Sequence, residues 1–345
     1  MEKQENNYDK TFYLTTLNVL SCFSVIMLHC NTIYWQAPVG KVWISANFIE
    51  TAFYFAVPIF FMVSGCTLFD YRKRYSTSTY FHKRFWKTVF PFLVWSFFAY
   101  VNQMRIAFRE GGAVDFNLLN IIDGILNIKY MQIYWFFIPL FAVYLAIPIL
   151  SGIQDKLKIF TYGSILGILL VAVMPLLSKL FGIPYNSGLT PGVVNGYILL
   201  SMIGYVLAGR EFKSNERIIV YILGVIGWAI HFWGTNYLSD PGTIDTTFKG
   251  YLNLPAVLQA AGVFLFMKYH TPKNEYLRKM ISWISGRTLG IYLIHFYTIA
   301  VLTKNLKADI TSISWRTGGA VLVFTFSACI IWIMQKIPFV KKLVP

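Results

Sequence analysis

The stretch that decides the fold is residues 12–31, which read FYLTTLNVLSCFSVIMLHCN. Among these residues the only Asp, Glu, Lys, Arg or His is His29. A helix of about 20 apolar residues crosses the hydrocarbon core of a bilayer. The stretch is too long for the apolar region of a secretory leader, and no small-residue cleavage site follows it. We therefore predict that it remains in the protein as a first membrane-spanning helix.

The rest of the chain has the same character. Of its 345 residues, 56% are hydrophobic and only 13% are charged, whereas soluble domains carry about 25% charged residues. This composition excludes a disordered chain, a collagen-like fibre and a small disulfide scaffold. The predicted fold is all-α, a polytopic integral membrane bundle in one domain, 1–345, without a fused soluble domain. About ten transmembrane helices are expected, at 12–31, 46–69, 88–106, 132–151, 160–178, 195–209, 217–235, 250–268, 281–302 and 316–335, with an interfacial helix at 116–128.

The net charge of +15 follows membrane topology rather than nucleic-acid binding. With the N-terminus placed inside the cell, the inner loops hold 20 Lys and Arg residues and the outer loops hold nine. Cytoplasmic loops of membrane proteins carry such an excess. The strongest cue is the segment 70–87, which alone contains six of the basic residues. We predict that both termini are inside, that the lipid bilayer is a partner and that nucleic acid is not.

Ionisable groups inside a bilayer are costly and mark functional sites by default. At 1.5 Å per residue, His29 lies about 26 Å from the inner end of its helix, and His295 lies about 21 Å from the inner end of its own. Glu50 lies about one turn below the outer surface, and Arg287 lies roughly 9 Å from the inner side. Two imidazoles and a carboxylate at similar depth could form an acid–base cluster in the outer half of the membrane.

Each of these groups also has an ordinary structural interpretation. His29 could sit in the headgroup layer, and Glu50 and Arg287 could reach the nearest interface with their side chains. His295 could only hydrogen-bond a neighbouring helix. The basic segment 70–87 could be a topology signal alone.

Several segments, in order along nearly the whole chain, resemble the membrane acyltransferase-3 family of integral membrane O-acetyltransferases. The first is the helix Tyr13–His29, which matches the family's first helix and ends in its catalytic histidine. The others are Val57–Gly65, Tyr80–Phe92, Tyr134-Trp-Phe-Phe with Tyr144 and Pro148, Gly204-Tyr205 with Gly209, and Leu289–His295.

The resemblance implies an enzyme that modifies polysaccharides in the cell membrane of a bacterium. Acetyl-CoA would be the acyl donor, and a cell-surface or lipid-linked glycan would be the acceptor. His29 would act as general base, and from their depth we expect Glu50 to orient its imidazole and His295 to line the site or stabilise an oxyanion.

Acyl-CoA is cytoplasmic, and its phosphates need cationic partners. The predicted donor-binding residues are the basic side chains on the inner side: Lys83, Arg84, Lys87 and Arg287. No metal site is expected, because no cluster of His and Cys has the spacing of a metal site. A homodimer is a further expectation.

Three core positions depart from the family pattern. Asn18 and Tyr54 stand where the family usually has basic residues, and Thr15 stands where it often has an acid. Two other functions therefore stay open. One is a transporter or flippase of glycans or lipid-linked intermediates, which would move its substrate unmodified. The other is an inactive membrane partner of a glycan synthase.

Overall fold

A computed structural model describes the backbone of residues 2–36, 40–112 and 117–345, with side chains from residue 11 onward. Within these ranges the chain is helical and contains no β-strand, which confirms the predicted all-α fold. The helices are α1 Glu2–Cys30, α2 Lys41–Phe53, α3 Ala56–Leu68, α4 Thr77–Arg84, α5 Phe90–Arg109, α6 Leu118–Leu126, α7 Phe137–Leu150, α8 Lys156–Gly167, α9 Met174–Phe181, α10 Tyr197–Gly209, α11 Ser214–Leu238, α12 Leu254–Tyr269, α13 Glu275–Ser285, α14 Thr288–Leu306 and α15 Ala320–Met334.

Seven helical segments in the described chain are long and apolar enough, by length and composition, to cross a membrane. They are Thr11–Cys30, Lys41–Lys73, Gln132–Leu150, Lys156–Phe181, Ser214–Leu238, Thr288–Leu306 and Trp315–Met334. Two further predicted spans form the shorter apolar helices α10 and α12. The predicted span 88–106 is helical within α5, but α5 is not among the seven. The predicted interfacial helix forms as α6, and position 116 lies outside the described residues.

Two predicted spans are interrupted. The span at 46–69 begins earlier, at Lys41, and bends between α2 and α3 at Tyr54 and Phe55. Pro58 has no N–H to offer the carbonyl of Tyr54, so a regular helix cannot continue there. The prediction of one continuous helix over 281–302 is wrong, because α13 ends before Gly286 and α14 starts after Arg287.

Helix α1 lies at the centre of the bundle. It contacts α2, α3, α12, α13, α14 and α15. In its most apolar window 61% of the residues are buried, whereas only 17% are buried in the peripheral segment Lys156–Phe181. A polar group on the inward face of α1 is therefore screened from lipid by neighbouring helices, which is the setting that an ionisable side chain in a membrane requires.

Glycines set the closest helix crossings. A Cβ on Gly204 of α10 would lie 2.3 Å from the carbonyl oxygen of Met62 in α3, and one on Gly65 would lie 1.9 Å from that of Ser201. Gly224 of α11 faces Gly262 of α12 in the same way. Without a hydrophobic driving force between helices in lipid, such close backbone packing is the main source of their association. It fixes α3 and α10 as one rigid pair beside α1.

Loops that topology assigns to one side of the membrane meet in the fold. Asp70, between α3 and α4, lies 3.7 Å from the ammonium of Lys156 at the start of α8. Lys268 donates to the carbonyls of Leu207 and Ala208. On the opposite side, the guanidinium of Arg316 donates to Ser45. The alternating loops are thus gathered at two separate ends of the bundle.

Candidate active site

Two histidines from distant parts of the chain meet inside the bundle. His29 lies in the last turn of α1, and His295 lies in the second turn of α14. The Nδ1 atom of His29 is 2.6 Å from Nε2 of His295. Their ring planes differ by 4°, and the ring centroids are 4.9 Å apart. His295 is completely buried, whereas His29 is half-buried.

The register between α1 and α14 explains the meeting. Below the histidines, the side-chain amide of Asn18 donates to the hydroxyl of Thr288 at 3.0 Å. The thiol of Cys22 lies 3.6 Å from the carbonyl oxygen of Thr288. His29 follows Cys22 by seven residues, and His295 follows Thr288 by the same number. Seven residues are about two helical turns, so both imidazoles reach the same level.

The remaining nitrogen of His295 is also engaged. Its Nδ1 lies 2.6 Å from the carbonyl oxygen of Tyr292 in the preceding turn. Both ring nitrogens of His295 therefore have partners within the fold. The sequence-based expectation that His295 stabilises an oxyanion is not supported, because the ring has no free N–H to offer.

Glu50 does not contact His29 as predicted. Its carboxylate forms an ion pair with Lys249, with Oε1 and Nζ 2.5 Å apart, and the two side chains are only 6% and 7% exposed. The ammonium also lies 4.3–4.7 Å from the ring centroids of Tyr34, Trp35 and Tyr54. Burial lowers the pKa of Lys249, and the neighbouring carboxylate opposes that shift. Glu50 was expected beside His29 from its depth alone, but its carboxylate pairs with Lys249 from the loop before α12.

Sequence reasoning missed Lys249 as a site residue and treated it as one of the outer-loop charges. Lys249 stands between Phe248 and Tyr251 in the loop before α12, where a lone lysine in apolar and aromatic surroundings needs a counter-ion. That requirement was the available signal. Glu50 was the matching acid on the same side of the bundle.

A cavity of about 330 Å³ leads toward the histidine pair. It is bounded by α1, α3, the end of α4, the π-helical turn Phe85–Val89, α7 with the preceding residue Phe136, and α14. Its lining includes Arg84 and Tyr144, and also Tyr292, whose ring centroid is 5.5 Å from that of His295. The polar side chains of the lining are Asn18, Ser64, Thr67, Arg84, Thr88, Tyr144, Thr288 and Tyr292.

Arg84 is the charged residue of this cavity. Its guanidinium carbon lies 5.6 Å from the ring centroid of Tyr144 and 6.0 Å from that of Tyr80. Its Nε atom is buried and has no hydrogen-bond partner among the described residues. A buried donor without a partner costs about 1–3 kcal/mol. An acceptor that enters the cavity would therefore meet the other N–H groups of this guanidinium, which lines the cavity.

The other three predicted donor-binding residues do not join Arg84. Lys83 lies over the ring of Tyr75, 4.2 Å from its centroid. Arg287 lies 4.1 Å from the ring centroid of Trp283, at the break between α13 and α14. Lys87 lines a different cavity of about 570 Å³ together with Lys341 and Lys342. The donor-binding roles of Lys83, Lys87 and Arg287 stay predictions, and their side chains lie outside the cavity that Arg84 lines.

The described residues contain no group of three or more His, Cys, Asp or Glu side chains that could hold a metal ion. The two imidazoles of the histidine pair are suited to proton transfer. A neutral imidazole can take a proton from a hydroxyl that reaches hydrogen-bond distance and release it later in the reaction.

The comparisons with known proteins agree with this class of site. A family model described as an acyltransferase domain matches residues 12–332, nearly the whole chain. The protein therefore belongs to the membrane acyltransferase-3 family, and it is a multi-pass membrane acyltransferase by that membership. Comparisons with curated proteins and with solved structures gave no significant match.

Proposed function

We propose that this protein transfers an acyl group, in the simplest case acetyl, from cytoplasmic acetyl-CoA to a hydroxyl of a cell-surface or lipid-linked glycan. The proposed setting is the cell membrane of a bacterium. The observation that carries the proposal is a cavity lined both by the Arg84 guanidinium and by Tyr292, whose ring centroid lies 5.5 Å from that of His295, the partner of His29.

The cavity suits the two halves of an acyl-CoA. Arg84 lies within the segment 70–87, where the positive charge of the inner side is concentrated. A guanidinium there is suited to phosphate or pantetheine oxygens, because its planar fork of donors matches such acceptors. From Arg84 the cavity continues between apolar walls, including Phe60 and Leu140, toward Tyr292. A pantetheine arm in this space would present its thioester to the histidines.

The proposed reaction needs one base and no metal. His29 takes the proton of the acceptor hydroxyl as the oxygen attacks the thioester carbonyl carbon. A carbon–oxygen bond forms, the carbon–sulfur bond breaks, and the departing CoA sulfur takes the proton from His29 to leave as a thiol. The products are one ester and one free CoA, and the imidazole returns to its neutral state.

Comparative mass spectrometry of surface glycans tests the proposal. Cells with the wild-type protein should carry glycans heavier by one acyl group than cells without it, and cells with the His29→Ala variant should match the cells without it. His270→Ala is the matched control, because His270 lies after α12 and its ring contacts only the carbonyl of Phe266 and neighbouring rings. Glycans of equal mass in all strains would overturn the proposal, and altered export of an unmodified glycan would favour a transporter.

A further inference from the structure

We propose that His295 is a positioning residue that fixes the tautomer of His29, so that Nε2 of His29 is the base. This inference rests on the proposed acyl transfer. It adds which ring nitrogen of each histidine carries a hydrogen. It differs from an oxyanion role and from a carboxylate-oriented histidine, the two arrangements that the sequence suggested.

The first step concerns His295. Its Nδ1 is 2.6 Å from the carbonyl oxygen of Tyr292, and a carbonyl oxygen can only accept a hydrogen bond. Nδ1 of His295 must therefore carry the hydrogen. A neutral imidazole has one N–H, so its Nε2 holds a lone pair and is an acceptor.

The second step concerns His29. Its Nδ1 is 2.6 Å from that acceptor, Nε2 of His295. Nδ1 of His29 must therefore donate, which leaves Nε2 of His29 with the free lone pair. The centroid separation of 4.9 Å is about the 2.6 Å N–N distance plus one ring radius at each end, so both nitrogens lie on the line between the centroids. Because the ring planes also differ by only 4°, the hydrogen bond runs in the plane of both rings, where the lone pair lies. His29 is half-buried while His295 is fully buried, so an acceptor hydroxyl can reach only His29.

The opposite proton arrangement is disfavoured. If Nε2 of His295 donated to His29 instead, His295 would need hydrogens on both nitrogens and would be a cation. Neither ring has a described carboxylate partner, because Glu50 is held by Lys249. An isolated charge in an apolar interior is costly. The resting pair is therefore neutral. His295 donates to the Tyr292 carbonyl, His29 donates to His295, and the Nε2 atom of His29 is left to accept a proton from the substrate.

This order has a consequence for the proposed reaction. When His29 accepts a proton, its Nδ1–H bond to His295 becomes charge-assisted and strengthens. A neutral imidazole thus does for His29 what an aspartate does in a Ser-His-Asp triad, holding the tautomer and stabilising the imidazolium. The Tyr292 carbonyl in α14 accepts from His295 and so fixes which way the hydrogen bond between the two histidines points. Tyr292 also lines the cavity that contains Arg84.

Steady-state kinetics of the purified full chain with acetyl-CoA and its glycan acceptor test the inference. His295→Leu removes the acceptor for His29 Nδ1 and should lower kcat about 100-fold with little change in KM. His295→Gln can still accept that hydrogen bond and should recover most of the loss. Thr298→Val is the control, because Thr298 lies one turn further along α14 and bonds Ser327 and the Ile294 carbonyl.

A second measurement decides the matter even where His295→Leu fails to fold. Replacing His29 by a histidine methylated on Nε2 blocks the proposed base and should lower kcat as far as His29→Ala does. Full activity of that methylated protein, or equal kcat in the Leu and Gln variants at position 295, would overturn the inference. Activity in His29→Ala itself would instead overturn the proposed function, so the two failures can be told apart.

Discussion

The protein holds two buried pairs of ionisable groups, and they differ in what each leaves unsatisfied. The His29–His295 pair has no carboxylate partner among the described residues, includes one half-buried ring and lies beside Tyr292, which lines a cavity. The Glu50–Lys249 pair joins opposite charges, is closed in by three aromatic rings and is at most 7% exposed. The first pair retains a free nitrogen lone pair, whereas the second is complete within the fold.

This difference distinguishes a candidate catalytic site from an ion pair that only stabilises the fold. A base must offer an unshared lone pair where a substrate can reach it. An ion pair that is saturated by its own partners offers none, and its function is to tie elements together. Lys249 joins the loop before α12 to the 3-10 turn Thr32–Trp35, which follows α1, and to the end of α2. Depth in the membrane, which His29, His295 and Glu50 were expected to share, does not distinguish the two pairs.

The largest expected effect comes from breaking the first pair. We predict that His29→Ala lowers kcat about 100- to 10,000-fold, the usual contribution of a general base. The variant should accumulate and melt like the wild type, because His29 makes one side-chain hydrogen bond at the edge of the core. Activity assays and thermal unfolding in the same detergent check both halves. A large loss of stability together with the loss of activity would mean that the histidine pair also stabilises the fold.

Breaking the second pair should have the reverse effect. Lys249→Met leaves the Glu50 carboxylate buried without its cation, and removing one partner of a buried ion pair costs about 3–5 kcal/mol. We predict a clear fall in the unfolding temperature and an unchanged kcat for the protein that remains folded. Thermal unfolding and turnover per folded molecule are the measurements.

The double variant Glu50→Gln with Lys249→Met sharpens this prediction. Both buried charges are then absent, so most of the lost stability should return. If Glu50→Gln alone lowered kcat in folded protein while stability held, Glu50 would belong to the reaction after all, and the contrast between the two pairs would disappear.

A smaller effect is expected from Arg84, which lines the cavity. We predict that Arg84→Ala raises KM for acetyl-CoA about 10-fold, because a hydrogen bond to a charged group contributes about 1.5–3 kcal/mol. kcat should change little, since Arg84 is remote from the histidines. Lys83→Ala is the matched control, because its ammonium lies over Tyr75 outside this cavity, and it should change KM less than about twofold. Equal changes in KM at the two positions would mean that the segment 70–87 acts only through its total positive charge and that Arg84 has no specific contact with the donor.

Much of the fold follows from the sequence, because length and hydropathy in a membrane leave few alternatives to helices. The depth estimates of about 26 Å for His29 and 21 Å for His295 placed both imidazoles at one level. The structure brings them into contact, although the helix carrying His295 starts only at Thr288. Axial position is thus readable from residue counting.

Rotation about each helix axis and the paths of loops are not readable in that way. Glu50 was placed at the level of His29, but its side chain turns toward Lys249, which lies 199 residues further along the chain. Lys83, Arg84 and Lys87 are close in sequence, yet they point to different surroundings. Such pairings depend on packing between distant helices, and one sequence contains no direct record of it.

The central claim is the transfer of an acyl group from CoA to a glycan, and one measurement tests it most directly. Purified protein is reconstituted in liposomes with its glycan acceptor, and acetyl-CoA labelled in the acetyl carbonyl is added on the side of Arg84. The account predicts that labelled ester appears on the glycan with one free CoA thiol released for each ester, and that neither forms with His29→Ala. Glycan that crosses the liposome membrane without label, or CoA thiol released without ester, would contradict the account.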